Sequence, residues 1–176
     1  MADESISRPG GGLFQRLVAA WRLELGVYED VSTDRGANGQ AFLIVLLSGL
    51  GNGFGLVGRM GSVGISAGVG AALLGWPLWA LTVFLIAALF GHRRHHGSLV
   101  RTLGFANAPG VFLVFGSVAT AGALIRITVV CWLVAATVVA VQAVFQVTRA
   151  RAVVVSLVAF VVYLLLGIVS AHLAGA

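Results

Sequence analysis

Residues 51–68 contain two motifs whose residue types and spacing could do chemistry. One reads Gly-Phe-Gly-Leu-Val-Gly and matches G-x-G-x-x-G, the turn whose main-chain amides hold the pyrophosphate of a dinucleotide. The other reads Gly-Ile-Ser-Ala-Gly and matches G-x-S-x-G, the turn that presents the nucleophilic serine of an α/β-hydrolase, here Ser66. The sequence around the two motifs decides whether either chemistry is available.

Neither motif has the companion residues that its chemistry requires. The nucleotide fingerprint follows a strand and needs an acidic residue about 20 positions later to bind the ribose. No Asp or Glu follows Asp34 anywhere in the chain. The serine motif needs an acid and then a histidine further along, and the same absence leaves every later histidine without an orienting carboxylate. We therefore expect neither a dinucleotide site nor a catalytic serine, and no enzymatic activity.

The sequence GHRRHHG, in the middle of the chain, resembles a metal-binding motif. His92 lies three and four residues before His95 and His96, a spacing that places two side chains on one face of a helix. Arg93 and Arg94 between them repel a cation, and neither an acid nor a cysteine is near. The favoured interpretation is a solvated cytoplasmic loop whose two arginines lie at the membrane interface near anionic lipid, with a metal site as the weaker alternative.

Two isolated residues could bind a prosthetic group or react. His172, near the end of the last apolar run, leaves open a haem or chlorophyll ligand, although an interfacial or helix-bridging histidine is the commoner role. Cys131 is the only cysteine and lies in an apolar run, so it lacks the partners for a disulfide or a zinc site. The sequence predicts no metal and no cofactor.

The composition places the chain in a membrane. Of its 176 residues, 59% are hydrophobic and 10% are charged, whereas a soluble domain carries about 25% charged residues. Too few charges remain to cover a surface facing water, so the bilayer is the expected solvent. The chain has no Lys, and its arginines are scattered between apolar runs instead of clustered, which argues against a nucleic-acid partner.

Five apolar stretches approach or exceed the roughly 20 residues that a membrane-spanning helix requires. We therefore predict an all-α integral membrane protein with a five-helix transmembrane bundle. The predicted spans are residues 40–58, 65–90, 104–125, 127–147 and 152–174. Arg126 is the only predicted break between the third and fourth spans. A re-entrant Gly-rich hairpin, which would leave four or fewer spans, remains an alternative for the first two.

The arginines predict the orientation of the bundle. If the N-terminus is cytoplasmic, only Arg59 and Arg126 of the 11 basic residues fall on the outer side. The positive-inside rule requires this asymmetry. The Lys-free, Ala- and Gly-rich composition is typical of a bacterial gene of high GC content. We expect a multi-pass protein of the bacterial inner membrane, with the C-terminus outside.

Residues 1–39 are predicted to form a cytoplasmic segment ahead of a transmembrane domain at residues 40–176. Within that segment, apolar side chains recur at helical spacing over residues 13–28, and the polar side chains fall mostly off that stripe. The run is too polar to span a bilayer. It predicts an amphipathic helix lying in the membrane interface, with Trp21 and Tyr28 at headgroup level. Packing beneath the bundle, or on a partner, is the alternative.

Glycines between positions 49 and 75 have the small-xxx-small spacing of closely packed membrane helices. Gly51 with Gly55, and Gly64 with Gly68, are four residues apart. Helices in lipid gain no hydrophobic energy by touching, and small residues let their backbones approach closely enough for dispersion to act. These four glycines are therefore predicted to be helix-packing residues, in a hairpin at the bundle centre or on a dimer face.

Four amide side chains lie within the predicted spans and need polar partners. They are Asn52, Asn107, Gln142 and Gln146. Interhelical hydrogen bonding is the favoured role, because an unpaired amide in hydrocarbon costs several kcal/mol. A polar path through a small channel or transporter is the alternative. No Asp or Glu lies in any span, which argues against proton coupling.

Two segments resemble the bacterial branch of the YIP1 family. They are VYEDVSTDRGANGQA, residues 27–41, and LVRTLGFANAPGVFLVFG, residues 99–116, and the resemblance covers roughly residues 13–174. It implies five spans, a cytoplasmic N-terminus and no known catalytic activity. Eukaryotic relatives are linked to Rab GTPases, but the Asp-Leu-Tyr-Gly-Pro type of motif is absent from this sequence, so Rab binding is not carried over.

These observations predict a non-enzymatic membrane protein that acts as a scaffold or accessory subunit. It would pack through its Gly-rich helices and its N-terminal helix, against other membrane proteins or against copies of itself. A small channel or transporter is the first alternative. A haem- or pigment-binding subunit using His172 is the second.

Overall fold

The structure, a computed structural model, describes residues 12–92, 96–118 and 120–175, without the side chains of residues 167, 170, 171 and 173–175. All regular elements in these residues are helical. The described residues form seven α-helices, in chain order: α1 Leu13–Trp21, α2 Leu25–Thr33, α3 Asn38–Met60, α4 Val63–Leu89, α5 His96–Ala106, α6 Gly122–Phe145 and α7 Arg149–Gly175. A short 3₁₀ turn, Arg35–Ala37, precedes α3, and a long one follows α5 at Ala108–Ser117, called here the 3₁₀ segment.

Within the described residues, five helical stretches are long and apolar enough to cross a membrane, as the sequence predicted. They are Arg35–Met60, Val63–Leu89, His96–Ser117, Gly122–Phe145 and Arg149–Leu166. At 1.5 Å per residue, α3 and α4 each exceed the roughly 30 Å of a bilayer core. The Gly-rich hairpin therefore consists of two full-length helices and not of a short re-entrant loop. The fold is that of an all-helical, multi-pass membrane protein.

The third span begins and ends earlier than predicted. It runs through α5 and the 3₁₀ segment, His96–Ser117, instead of residues 104–125. The predicted span left out His96 and Arg101, which were assigned to the connection before it. The structure accommodates Arg101 because neighbouring main-chain carbonyl groups surround its guanidinium. Arg126, predicted as a break, lies inside α6.

The N-terminal segment forms two helices instead of the single helix predicted over residues 13–28. The chain turns at Arg22 to Glu24, where Leu23 adopts a left-handed conformation with φ of 59°. After this turn, α2 packs against both α5 and α6. Its Tyr28 and Val31 are completely buried. The segment before the first span is therefore part of the bundle core.

The buried core includes side chains from all seven α-helices described. Its largest fully buried side chains include Tyr28, Ile44, Leu99, Leu103 and Phe105. In contrast, α4 and α7 leave large apolar side chains exposed along their length, which is the pattern of surfaces that face lipid. Of the five candidate spans in the described residues, the last has the smallest buried share.

The 3₁₀ segment has an unusual length for this type of helix. It runs for 10 residues, whereas most such helices stop after 3 or 4. It starts after Asn107, with Pro109 near its N-terminus. A 3₁₀ helix rises about 2.0 Å per residue against 1.5 Å in an α-helix, so the third span gains length without extra residues. This stretched backbone is the surface on which α3 packs.

Candidate functional site

Glycines bring the backbones of α3 and α4 into direct contact. A Cβ atom built on Gly53 would lie 2.7 Å from the Cα atom of Ile65, and one on Gly49 would lie 3.0 Å from the Cα atom of Val69. In the other direction, a Cβ on Gly68 would overlap the backbone of Gly53. No side chain fits at this crossing, which is the close approach that small residues permit between membrane helices.

The opposite face of α3 packs equally closely on the 3₁₀ segment. A Cβ atom on Gly51 would lie 2.5 Å from the carbonyl oxygen of Val111, and one on Gly55 would overlap that of Leu113. The four glycines predicted to pack helices therefore serve two contacts. Gly51 and Gly55 face the 3₁₀ segment. Gly64 and Gly68, on α4, face α3. The predicted packing residues did not include Gly49 and Gly53. Glycine spacing alone does not show which neighbouring element each face of α3 contacts.

Arg101 holds the C-terminal turn of α2 against α5. Its Nε donates to the carbonyl oxygen of Val31 at 2.6 Å, its Nη2 to that of Ser32 at 2.6 Å, and its Nη1 to Oδ1 of Asn38 at 3.1 Å. The Ser98 hydroxyl also donates to the carbonyl of Ser32. The last carbonyl groups of a helix lack partners within the helix and carry partial negative charge, so a buried guanidinium satisfies them. From the sequence, Arg101 was interpreted only as a signal of membrane topology.

Arg16 joins α1 to the start of the first span. Its Nη1 lies 2.9 Å from Oδ2 of Asp34 and donates to Oε1 of Gln40 at 3.1 Å. The other carboxylate oxygen of Asp34 accepts from the main-chain amide of Gly36 at 2.8 Å. The hydrogen bond from Arg16, with that amide, holds the pKa of the Asp34 carboxyl below its ordinary value. The pair fixes α1 beside the α2–α3 connection.

Trp21 and Tyr28, predicted to lie at headgroup level, make contacts within the chain. Trp21 lies with its ring centroid 5.3 Å from that of Phe112, and Phe112 stacks on Trp132 at 5.6 Å. The indole Nε1 of Trp132 donates to the carbonyl oxygen of Trp21 at 3.0 Å. The Tyr28 hydroxyl donates to the carbonyl oxygen of Ala20 at 3.1 Å, and burial raises the pKa of its phenol.

Arg126 joins α6 to α3 near the other end of the bundle. Its Nη2 donates to the carbonyl oxygen of Gly55 at 2.5 Å. The guanidinium also lies against Gly116, where a Cβ atom would come within 3.1 Å of it. A carbonyl oxygen inside a helix normally accepts a hydrogen bond from a main-chain amide of the same helix. Its second lone pair can accept the additional bond from Arg126. Arg126 therefore connects three elements instead of separating two spans.

The four amides predicted to line one path occupy different places. Asn107 donates from Nδ2 to the carbonyl oxygen of Leu103 at 2.8 Å and lines a cavity among α4, α5, α6 and α7. Gln142 lines a separate pocket beside the α1–α2 turn and α7. Asn52 is half-buried on α3, and Gln146 is exposed at the end of α6 with φ of 52°. Neither of these two lines either cavity. This separation does not favour the channel interpretation.

The described histidines make separate contacts and do not form one site. The ring of His92 lies 6.3 Å from that of Phe145, and the ring of His96 packs edge-on against Phe84 at 5.5 Å. His172 is exposed on α7. Arg93, Arg94 and His95 lie outside the described residues. Across the described part of the chain, no three His, Cys, Asp or Glu side chains lie close enough to hold a metal ion.

Ser66 and Cys131 have no catalytic surroundings among the described residues. The Ser66 hydroxyl donates to the carbonyl oxygen of Val63 in its own helix at 3.0 Å, which is the ordinary role of serine in a membrane helix. Cys131 is exposed on α6. The serine motif is therefore part of the helix crossing described above, as its glycines are.

The largest group of aromatic side chains lines the cavity among α4, α5, α6 and α7. Its volume is about 240 Å³. The ring of Trp79 packs edge-on against Phe160 and Tyr163, with centroids 6.4 and 5.3 Å apart. Asn107 and Thr137 add polar atoms to the wall. Its wall therefore combines aromatic and polar side chains around open space.

Comparison with known proteins returned no matching family model, no matching curated protein and no matching solved structure. The resemblance to the YIP1 family therefore stays a prediction from the two quoted segments.

Proposed function

We propose that this chain is a non-enzymatic integral membrane protein that acts as a scaffold or accessory subunit of a membrane assembly. The observation that carries the proposal is the use of its charged side chains. Arg16 with Asp34, Arg101 on the carbonyl groups of α2, and Arg126 on that of Gly55 all hold elements of the bundle together. These three arginines connect separate elements of the bundle, which supports a structural role.

We place the proposed partner surface away from the Gly-rich helices and the N-terminal helix. The sequence predicted that the Gly-rich helices and the N-terminal helix face a partner, but the glycines of α3 pack on α4 and the 3₁₀ segment, and α2 packs on α5 and α6. We propose that a partner binds the exposed face of α7. In its spanning window only 22% of the residues are buried, the lowest share of the five spans. Exposed side chains on that face include Leu157, Val161 and Leu165.

We place this role, as a proposal, in the inner membrane of a bacterium, with the N-terminus in the cytoplasm. The arginine asymmetry and the resemblance to the YIP1 family support that placement. The amphipathic character of α1 supports contact with the membrane interface, since Phe14 is 72% exposed on the side away from the bundle.

Photo-crosslinking in the native membrane tests the proposed partner face. A photoreactive residue replaces Val161 on α7 in one variant and Leu78 on α4 in a matched control, because the two side chains are 54% and 57% exposed. We expect a discrete protein adduct from position 161 and lipid adducts alone from position 78. Lipid adducts alone from both positions would contradict the accessory-subunit proposal.

A further inference from the structure

The cavity among α4, α5, α6 and α7 lies halfway along each of the spans that form it. Trp76 is at the centre of α4, Asn107 at the centre of the third span, Leu133 at the centre of α6 and Tyr163 close to the centre of α7. In a bilayer whose hydrocarbon core is about 30 Å thick, this position is about 15 Å from either headgroup region. The wall of the cavity is therefore formed by residues near the membrane midplane.

Polar atoms face this midplane cavity with hydrogen-bonding capacity left over. The Asn107 side chain donates one N–H to the carbonyl oxygen of Leu103. Its second N–H can still donate, and its oxygen can still accept. The Thr137 hydroxyl donates to the carbonyl oxygen of Leu133 at 2.9 Å and can still accept. Among the described residues no hydrogen bond joins the Tyr163 hydroxyl to another group. Polar groups in hydrocarbon are costly unless they find a partner.

The chemistry of the wall restricts the occupant. A phospholipid keeps its ester and phosphate oxygens at the interface, about 15 Å away, and its acyl chains offer no hydrogen-bonding atom. A charged molecule is unfavourable at the midplane. The aromatic rings of Trp79, Phe160 and Tyr163 provide flat apolar contacts for another ring. A volume of about 240 Å³ is below the 300 Å³ or more that encloses a complete drug-sized ligand.

We propose that this cavity binds the ring of a neutral isoprenoid quinone, with the tail left in the bilayer. The quinone ring is flat, uncharged and soluble at the midplane, and its carbonyl oxygens accept hydrogen bonds. The Tyr163 hydroxyl and the second N–H of Asn107 donate to those oxygens, and the ring packs against Trp79. The proposal goes beyond the scaffold role and concerns binding only.

Quenching of tryptophan fluorescence by a short-chain ubiquinone tests the proposal, because Trp76 and Trp79 form part of the wall. The protein is placed in nanodiscs of synthetic lipid and titrated. Gly75→Leu fills the cavity, since even a Cβ at Gly75 would lie 3.0 Å from the Tyr163 hydroxyl. Gly70→Leu is the matched control on the same helix, because a Cβ there meets nothing within 4 Å.

We expect saturable quenching that weakens by at least about 10-fold in Gly75→Leu and remains unchanged in Gly70→Leu. Tyr163→Phe removes only the hydroxyl and should weaken binding by about 3- to 10-fold, the effect of one hydrogen bond. This variant keeps the test valid if Gly75→Leu does not fold. Quenching without saturation, equal quenching in all variants, or saturable binding of cholesterol without binding of the quinone would each overturn the proposal.

Discussion

The Nε atom of Arg101 lies 2.6 Å from the carbonyl oxygen of Val31, so the third span is bonded directly to a helix that ends before the first span begins. Arg101 is 6% exposed and Val31 is completely buried. This contact explains why a charged residue is accommodated in the third span and why the N-terminal segment belongs to the bundle.

Arg101→Met should lower the thermal stability of the detergent-solubilised protein markedly. The substitution keeps an apolar stem but leaves the buried carbonyl group of Val31 without its side-chain donor and that of Ser32 with only the Ser98 hydroxyl. A buried unpaired group costs about 1–3 kcal/mol. Melting followed by circular dichroism measures the effect, with Arg59→Met as the control because Arg59 is exposed at the end of α3. Equal melting temperatures for the two variants would show that the Arg101 contact does not stabilise the bundle.

Gly68→Ala and Gly70→Ala should have opposite effects, although both lie in α4. A methyl group at Gly68 overlaps the backbone of Gly53 and forces α3 and α4 apart, and such overpacking costs about 1–3 kcal/mol. A methyl group at Gly70 meets open space and gains up to about 1 kcal/mol of helix propensity. Chemical unfolding in mixed micelles compares them. If both variants gain stability, the close crossing of α3 and α4 is wrong.

The Arg16–Asp34 pair should make stability depend on pH in acid. The pKa of Asp34 is lowered in the folded state, first by the hydrogen bond from Arg16. Its contribution is therefore complete above the unfolded pKa, about 3.9, and is lost as the pH falls through the lower folded value. Melting temperatures of wild type and Asp34→Asn, measured from pH 6 to pH 3, should converge at the acid end. A difference that stays constant to pH 3 would contradict the lowered pKa.

Trp132→Phe should loosen the turn between α1 and α2. The variant keeps an aromatic ring beside Phe112 but removes the Nε1 donor to the carbonyl oxygen of Trp21. Hydrogen exchange of the amides in residues 13–33 should become several-fold faster, as expected for the loss of one hydrogen bond. Leu124→Ala, an exposed change on the same helix, serves as the control. Unchanged exchange in Trp132→Phe would refute the role of that bond.

The sequence alone was sufficient for the helical class and the number of spans, because long apolar runs constrain both. It misplaced the third span, since Arg101 looks unfavourable in a span until the carbonyl groups of α2, 70 residues earlier for Val31, are brought beside it. It also predicted one helix over residues 13–28, because apolar spacing continues through the turn at Leu23. Both errors arise from contacts between distant residues, which periodicity does not record.

The candidate site was harder to predict than the fold. Asn107 was recognised as an intramembrane amide, but it was grouped with Asn52 and Gln142, which the structure places elsewhere. Trp79 and Tyr163 were not predicted as site residues, because single aromatic side chains are common in apolar runs. Only the packing of α4 against α7 brings their rings within 5.3 Å.

Extraction of the native protein into lipid nanodiscs without detergent purification, followed by native mass spectrometry, tests the proposed function most directly. The scaffold or accessory role predicts a second membrane protein at fixed stoichiometry with this chain. That partner should be lost when bulky Trp residues replace Leu157 and Val161 on α7, while the fold is retained. A homogeneous species containing this chain alone would contradict the role.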